Sequence, residues 1–141
     1  MSDLEKTLSI IKPDAVERKL DNEIKELFVL NGFKILKEKK IQIEKVEAEK
    51  FYKVHETKPF YNDLCAYLSS GPIVVMILEK NNAVLDNRKL MGATDPINAE
   101  EGTIRKKYGI SIDKNSIHGS DSIENANIEI SYFFSDDEIV G

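Results

Sequence analysis

The chain has 141 residues, of which 41% are hydrophobic and 32% are charged, and its formal net charge at pH 7 is −5. A chain of this length forms one ordinary domain, so we expect a single domain over residues 1–141 that buries its own core. The negative charge disfavours a surface that grips nucleic acid throughout, whereas a small basic pocket for an anionic ligand is compatible with it.

The cysteine content and the hydropathy pattern indicate the compartment. The one cysteine, Cys65, cannot form a disulfide within the chain, and nothing in the sequence demands an oxidising environment. The longest apolar run spans residues 73–78, far short of a membrane span, and the charged N-terminus lacks the apolar core of a signal peptide. We therefore expect a soluble cytoplasmic protein that does not contact a membrane.

Strand and helix patterns alternate along the first half of the chain. In order, we expect a strand at 6–13, a helix at 21–33, a strand at 33–43 and helices at 45–56 and 59–70. The first strand should end with Lys12 in an extended conformation, because a residue before proline disfavours the α region. Asp21 is expected to cap the first helix, and Asn31 with Gly32 to stop it.

Side-chain spacing adds detail to three of these elements. The strand residues expected to share one face at period two are Phe33, Ile35, Ile41 and Ile43. The next helix is expected to place Ala48, Tyr52 and His55 on one face. Pro59 is expected at the first position of the helix that follows, where its missing N–H costs nothing.

The second half has fewer regular elements. We expect a strand at 72–79 and then a helix at 82–92, which Gly92 closes. The stretch at 94–115 is turn-rich, with one short helix expected at 102–109. A short strand near His118 and a helix at 120–134 complete the order. Asp121 with Glu124 resembles a capping box at the start of the last helix. This order fits a small sheet with helices packed on it.

Several common site patterns are missing from the sequence. No glycine is followed by lysine, and no two glycines are spaced as G-x-G, so the sequence has neither a Walker loop nor a Rossmann fingerprint. One cysteine and two scattered histidines make no zinc site, and no D-x-D pair suggests a metal held by the protein.

After these exclusions, the remaining candidates for a binding site are basic residues at the ends of predicted elements. Lys12, Arg88 and Arg105 carry positive charge there, and the neutral donors nearby are Thr94, Asn115 and Ser120. Taken alone, each lysine or arginine is expected to be a solvated surface residue.

His118 stands out within the segment "NSIHGSDS" at residues 115–122. Gly119 removes side-chain cover beside the ring, and the residues that follow begin a helix whose free N–H groups favour an anion. A histidine near phosphate acts either as a general base or as a direct nucleophile. These residues therefore predict a phosphate-handling loop around His118 and leave the two roles open.

A nucleophilic imidazole needs an acceptor on its other ring nitrogen. A neutral imidazole can attack phosphorus at pH 7 when that second nitrogen is held. A carboxylate on the following helix could hold it, and Glu124 and Glu129 are the candidates. Spacing alone does not choose between them.

Six segments of the chain form a recognisable series. They are "TLSIIKPDAV" (7–16), "HETKPFYNDL" (55–64), "SGPIVVMILE" (70–79), "RKLMGATDP" (88–96), "GTIRKKYG" (102–109) and "NSIHGSDS" (115–122). In this order, and over nearly the whole chain, they closely resemble nucleoside diphosphate kinases.

The resemblance implies a fold and an activity. The fold is an α/β (α+β) ferredoxin-like sandwich with a four-stranded antiparallel sheet covered by helices. The activity moves the terminal phosphate of a nucleoside triphosphate such as ATP to a nucleoside diphosphate such as GDP, with broad base specificity. The route is ping-pong through a phosphohistidine at His118. Mg²⁺ is expected to arrive with the nucleotide, with no metal ligand from the protein.

The resemblance also implies a homo-oligomer. In the family the loop at 92–115 and the C-terminal tail contribute to assembly. A hexamer is the first expectation and a tetramer the second, with a dimer unit inside either.

The site residues carried over by the resemblance fall into three groups. His118 matches the nucleophile, Glu129 the carboxylate that orients its ring, and Ser120 its hydrogen-bonding neighbour. The residues that match phosphate and sugar contacts are Lys12, Tyr52, Arg88, Thr94, Arg105 and Asn115. Phe60 matches the aromatic residue on which the base stacks, and His55 a histidine that lines the pocket.

One departure and two competing functions accompany this interpretation. Asp95 stands where many family members have asparagine, and we expect its carboxylate to point away from the phosphates. An alternative function is a ferredoxin-like nucleotide-binding regulatory module without turnover. A nucleic-acid binder of similar fold is disfavoured by the acidic net charge and by the missing RNP1 pattern.

Overall fold

A single antiparallel sheet organises the computed structural model, which describes residues 4–53, 56–111 and 114–134. Its strands are β1 (Leu4–Ile11), β2 (Lys34–Ile41), β3 (Ile73–Asn81) and β4 (Ile117–Gly119). They lie in the order β2-β3-β1-β4, and each neighbouring pair is antiparallel. The N-terminal strand β1 therefore lies between β3 and β4, the last strand in the sequence.

The described residues also form seven α-helices. They are α1 (Pro13–Glu17), α2 (Asp21–Leu30), α3 (Lys45–Phe51), α4 (Tyr61–Leu68), α5 (Ala83–Met91), α6 (Ile104–Tyr108) and α7 (Ile123–Phe133). A short 3₁₀ turn spans Pro96–Asn98. No helix among the described residues is long and apolar enough to span a membrane.

Helices cover both faces of the sheet. Residues of α3, α4 and α7 pack on one face, and residues of α1, α2, α5 and α6 pack on the other. The odd residues of β3 from Ile73 to Ile77 join the first layer, and its even residues from Val74 to Leu78 join the second. This double cover explains the uninterrupted apolar run at 73–78. The predicted ferredoxin-like α/β fold with a four-stranded antiparallel sheet is confirmed.

The alternation of strand residues decides where the His118 ring lies. Ile117 packs in the layer with α5, and a Cβ on Gly119 would meet Asn87 and Met91 of α5. His118, between them on β4, projects to the opposite face, where α3 and α7 lie. The strand thus delivers the histidine to one defined helical layer.

The prediction that four residues of the second strand share one face was wrong. Phe33 and Ile35 pack in the layer with α2, whereas Ile41 and Ile43 pack in the layer with α3. The pairing of β2 with β3 slips between Ile35 and Lys37. One extra residue at such a bulge reverses the phase of every side chain beyond it.

Two predicted helix caps were also wrong. Leu20, not Asp21, is the N-cap of α2, and Asp21 is the first helical residue. At α7 the cap is Ser122, whose hydroxyl accepts from the Asn125 N–H at 3.1 Å. At α2 the backbone is already helical at Leu20, with φ −94° and ψ −3°, so Asp21 lies inside the helix. At α7 Ser122 has the extended backbone of an N-cap, with φ −156° and ψ 164°.

The extended conformation predicted for Lys12 is confirmed, whereas the helix start predicted at Pro59 was wrong. Lys12 is extended, with φ −77° and ψ 165°, and Pro13 then begins α1, a helix that the sequence analysis missed. Pro59 does not begin α4. The Tyr61 N–H donates to the Lys58 carbonyl at 3.1 Å, so a turn precedes the helix and delays its start to Tyr61.

Candidate active site

The His118 ring is held by a carboxylate at the edge of α7. Glu129 Oε1 lies 3.1 Å from His118 Nε2 and accepts from the Ser120 hydroxyl at 2.7 Å. Glu124, the other candidate, is exposed in the first turn of α7. A carboxylate is an acceptor only, so Nε2 carries the hydrogen and the lone pair of the imidazole lies on Nδ1.

Two aromatic rings on α3 and at its end form a wall beside the histidine. The Phe51 ring centroid lies 5.3 Å from that of His118, and the Tyr52 centroid lies 6.1 Å from it, both edge to face. Burial, and after it the charge of Glu129, raises the pKa of Tyr52. The phenol therefore stays protonated at neutral pH and remains a hydrogen-bond donor.

A chain of hydrogen bonds joins Lys12 to the loop before α6. Lys12 Nζ donates to Asn115 Oδ1 at 2.9 Å, and Asn115 Nδ2 donates to the Thr94 carbonyl at 3.1 Å. Lys12 and Asn115 are buried, whereas Thr94 is exposed. These three residues come from distant parts of the sequence, and the fold brings them together at one end of β1.

Arg105 links α6 to the strand that carries the histidine. Its Nη1 donates to the Gly92 carbonyl at 3.1 Å, and its Nη2 donates to the Ile117 carbonyl at 2.8 Å. The guanidinium is buried, and its Nε has no hydrogen-bond partner among the described residues. A buried cation attracts an anionic ligand strongly, because little water screens its charge.

Arg88 lies close enough to Arg105 for the two charges to repel. Burial, and after it the charge of Arg88, lowers the pKa of the Arg105 guanidinium to about 10. At pH 7 Arg105 nevertheless keeps its proton, so both side chains are cations. An anion placed between them would relieve the repulsion.

Three further residues from the sequence analysis lie at the periphery or beyond the described chain. Phe60 is exposed at the N-cap of α4, with Lys58 Nζ 5.7 Å from its ring centroid. Asp95 uses its carboxylate to accept from the Ile97 N–H at 3.1 Å and so caps the 3₁₀ turn. His55 lies outside the described residues.

Gly119 allows α5 to approach the sheet closely. A Cβ added there would lie 2.4 Å from Asn87 Nδ2 and 2.8 Å from Met91 Sδ. The glycine next to His118 is therefore explained by packing on the face away from the ring.

The sequence analysis missed a group of polar residues close to Lys12, at α1, on α4 and just before β4. They are Asp14, Arg18, Tyr67 and Ser116, which hydrogen-bond to one another. It also missed Phe51, whose ring packs on His118. A pair of aromatic residues at the end of a helix, or a serine before a short strand, gives no distinctive signal in a single sequence.

Among the described residues no group of three or more His, Cys, Asp or Glu side chains could hold a metal ion. Lys12, Arg88 and Arg105 are cations, and they suit an anionic ligand better than a bare metal ion.

Comparison with known proteins identifies the family. A sequence model described as "Nucleoside diphosphate kinase" matches residues 5–139. The chain is 53% identical over 137 residues to a nucleoside diphosphate kinase of Geobacter sp. (strain M21), covering 97% of this chain and 100% of that protein. It is 55% identical over 137 residues to that of Geobacter sulfurreducens, with the same coverage.

Solved structures agree with the sequence relatives. The Aquifex aeolicus nucleoside diphosphate kinase superposes with a TM-score of 0.94 at 38% identity, covering 96% of this chain and 98% of that chain. The Encephalitozoon cuniculi enzyme gives a TM-score of 0.91 at 38% identity, covering 94% of this chain and 90% of that chain. The chain therefore belongs to the nucleoside diphosphate kinase family of enzymes.

Proposed function

We propose that this enzyme transfers the terminal phosphate of a nucleoside triphosphate to a nucleoside diphosphate through a phosphohistidine on His118. The observation that carries the proposal is the contact of Glu129 Oε1 with His118 Nε2 at 3.1 Å. Because Glu129 occupies Nε2, Nδ1 is the nitrogen that attacks. The histidine then acts as a nucleophile, and Glu129 fixes its tautomer and ring orientation.

The reaction proceeds in two half-reactions. In the first, the Nδ1 lone pair forms a bond to the terminal phosphorus while the P–O bond to the neighbouring phosphate breaks, and the nucleoside diphosphate leaves. In the second, a terminal phosphate oxygen of another nucleoside diphosphate attacks the same phosphorus and the P–N bond breaks. One site therefore serves both nucleotides in turn, which is a ping-pong mechanism.

Cations around the transferred group lower the barrier. Phosphoryl transfer needs placement and stabilisation of charge on the phosphoryl oxygens more than covalent help. Lys12 and Arg105 are held by hydrogen bonds near the histidine strand, and Arg88 lies beside Arg105. Mg²⁺ bound to the nucleotide would neutralise further phosphate charge. The buried Tyr52 phenol and the Asn115 amide add neutral donors.

Broad base specificity follows from how the base would be held. Phe60 is exposed and can stack on either face of any base, a contact worth about 1–3 kcal/mol in nucleic-acid complexes. Stacking does not read the hydrogen-bonding edge of the base. We therefore propose that the phosphates and the sugar, which all nucleotides share, supply most of the recognition. The pocket role of His55 remains a prediction from the family resemblance.

Labelling with ATP that carries a radioactive terminal phosphate tests the proposal. We expect an acid-labile, base-stable label on His118 that moves to added GDP. His118→Gln should take up no label. Glu129→Gln should take up label at least about tenfold more slowly with similar ATP affinity, because only the ring orientation is lost.

Each arm of this experiment has an outcome that contradicts the proposal. If His118→Gln were labelled as well as the native protein, the nucleophile would be another residue. Lost ATP affinity with normal labelling in Glu129→Gln would remove that residue from the orienting role. A native protein that binds nucleotide and takes up no label would favour the regulatory module without turnover.

A further inference from the structure

Ser116 is held in an uncommon backbone conformation two residues before His118. It is fully buried, and its φ is +74°, in the left-handed region that residues other than glycine rarely adopt. The Ile117 N–H donates to the Asn115 carbonyl at 3.0 Å, which closes a γ-turn around Ser116. A γ-turn with positive φ is strained and persists only where the surroundings impose it.

Hydrogen bonds with neighbouring side chains hold this turn through the Ser116 hydroxyl. It donates to Asp14 Oδ2 at 2.8 Å and accepts from Arg18 Nη2 at 3.2 Å. Arg18 Nη2 also donates to Asp14 Oδ2 at 3.1 Å. The Tyr67 hydroxyl donates to the other oxygen of the Asp14 carboxylate. These four residues form a network that ties the turn to α1 and α4.

The segment around this turn holds Lys12 and Arg105, two of the three cations proposed to stabilise the phosphoryl group. Lys12 N–H donates to the Ser116 carbonyl at 2.9 Å, and Lys12 Nζ donates to Asn115 Oδ1. Arg105 Nη2 donates to the Ile117 carbonyl at 2.8 Å. A shift of this turn would move both cations and the His118 strand together.

We propose that Ser116 is a positioning residue for phosphoryl transfer, whose hydroxyl anchors the γ-turn to Asp14 and Arg18 and so aligns His118 with the cations around the phosphate. This inference rests on the proposed nucleophilic role of His118. Ser116 is fully buried, so it acts through the segment on either side of it. An error of about 1 Å in such an alignment can cost a hundredfold in rate, so one anchoring hydroxyl is enough to matter.

Two substitutions at the same position separate the hydroxyl from the strain. Ser116→Ala removes the hydroxyl and keeps the strained φ, whereas Ser116→Gly removes the hydroxyl and relaxes the strain. In single-turnover labelling at saturating Mg–ATP, we expect both to slow phosphorylation of His118 about tenfold, which corresponds to about 1.4 kcal/mol in the barrier. ATP affinity should change less than about threefold, because the cations remain present while their alignment suffers.

A variant of Asp14 and a stability control complete the experiment. Asp14→Asn should slow labelling in the same way, and the double variant with Ser116→Ala should be no slower than the slower single variant, because both break one network. Ile24→Val lowers stability in the buried layer of α2, away from the site, and should label at the native rate.

A spectroscopic readout tests the inference without turnover. The Nε2–H resonance of the His118 imidazole should shift in Ser116→Ala and stay unchanged in Ile24→Val. Native labelling rates in both Ser116 variants, or an unchanged resonance in Ser116→Ala, would overturn the inference. So would additive effects of Ser116→Ala and Asp14→Asn. Failure of the native protein to label would instead count against the proposed function, and the resonance would still decide the role of Ser116.

Discussion

Two neighbouring arginines illustrate how single residues prepare this site for an anion. Arg105 is buried between the Gly92 and Ile117 carbonyls, and the charge of Arg88 adds to the burial that lowers its pKa. In the absence of a ligand this arrangement costs stability. A phosphate bound between them, as we propose, would be attracted by both charges and would offset their repulsion.

Arg88→Gln should therefore have opposite effects on stability and on binding. Relative to Lys89→Gln, a matched control that removes the same charge from the same last turn of α5, we expect a melting temperature about 1–2 °C higher without nucleotide. We expect ADP affinity to fall about tenfold, as for one lost charge-assisted hydrogen bond. Thermal unfolding and calorimetric titration measure the two effects. Equal melting temperatures and equal ADP affinities for the two variants would argue against this role of Arg88.

Part of the site was predictable residue by residue, and part was not. The sequence analysis singled out Lys12, Arg88 and Arg105 because they lie at the ends of predicted elements, and His118 because a glycine and a predicted helix start follow it. Glu129 could also have been preferred from helical phase, since it lies three residues after Ala126 and four before Phe133, both buried. Ser116 could not have been found, because the φ of a serine is set by its tertiary surroundings and leaves no trace in the sequence.

At the scale of elements, helix α7 places Glu129 beside His118. The helix begins at the Ser122 cap, and its buried residues Ala126, Ile130 and Phe133 fix it to the sheet. Asp121 instead accepts from the Asn125 side chain at 2.5 Å in an exposed position.

The two residues at this helix start should differ in their effect on stability. Ser122→Ala removes the partner of the Asn125 N–H and should lower the free energy of unfolding by about 1 kcal/mol. Asp121→Ala removes an exposed side-chain contact and should cost within about 0.5 kcal/mol. Urea unfolding measures both. A larger loss for Asp121→Ala would return the capping role to that residue.

Element types were predicted more reliably than element boundaries. The longer helices were predicted from hydrophobic periodicity, whereas β3 was predicted from an uninterrupted apolar run, which its burial between two layers explains. The five-residue helix α1 was missed because it is too short for a period to repeat. The bulge in β2 was missed because a one-residue slip depends on the partner strand, β3.

At the scale of the whole molecule, large apolar side chains remain on the surface of a single chain. Ile97 in the 3₁₀ turn is 83% exposed, and Ile110 after α6 is 59% exposed. Both lie in the loop that the family resemblance assigns to assembly. Scattered surface apolar residues are common, but two in one loop favour a role in association.

We expect the enzyme to be a homo-oligomer in solution. Light scattering should give about six times the 16.0 kDa chain mass, with four times that mass as the second expectation. Ile97→Lys should reduce the mass, because a buried lysine in an interface is costly. The native protein scattering as a single chain would contradict the expectation of assembly.

The hydrogen bond between Lys12 and Asn115 spans 103 positions of the sequence, and the one between Asp14 and Ser116 spans 102. During synthesis, Lys12 and Asp14 therefore emerge long before Asn115 and Ser116, the residues with which they form these hydrogen bonds. Contacts this far apart are slow to form, because the intervening loop must close first. A ribosome-bound fragment that ends before β4 has Lys12 and Arg105 but no histidine strand to hold them. The proposed site therefore cannot form until the chain has been synthesised past β4.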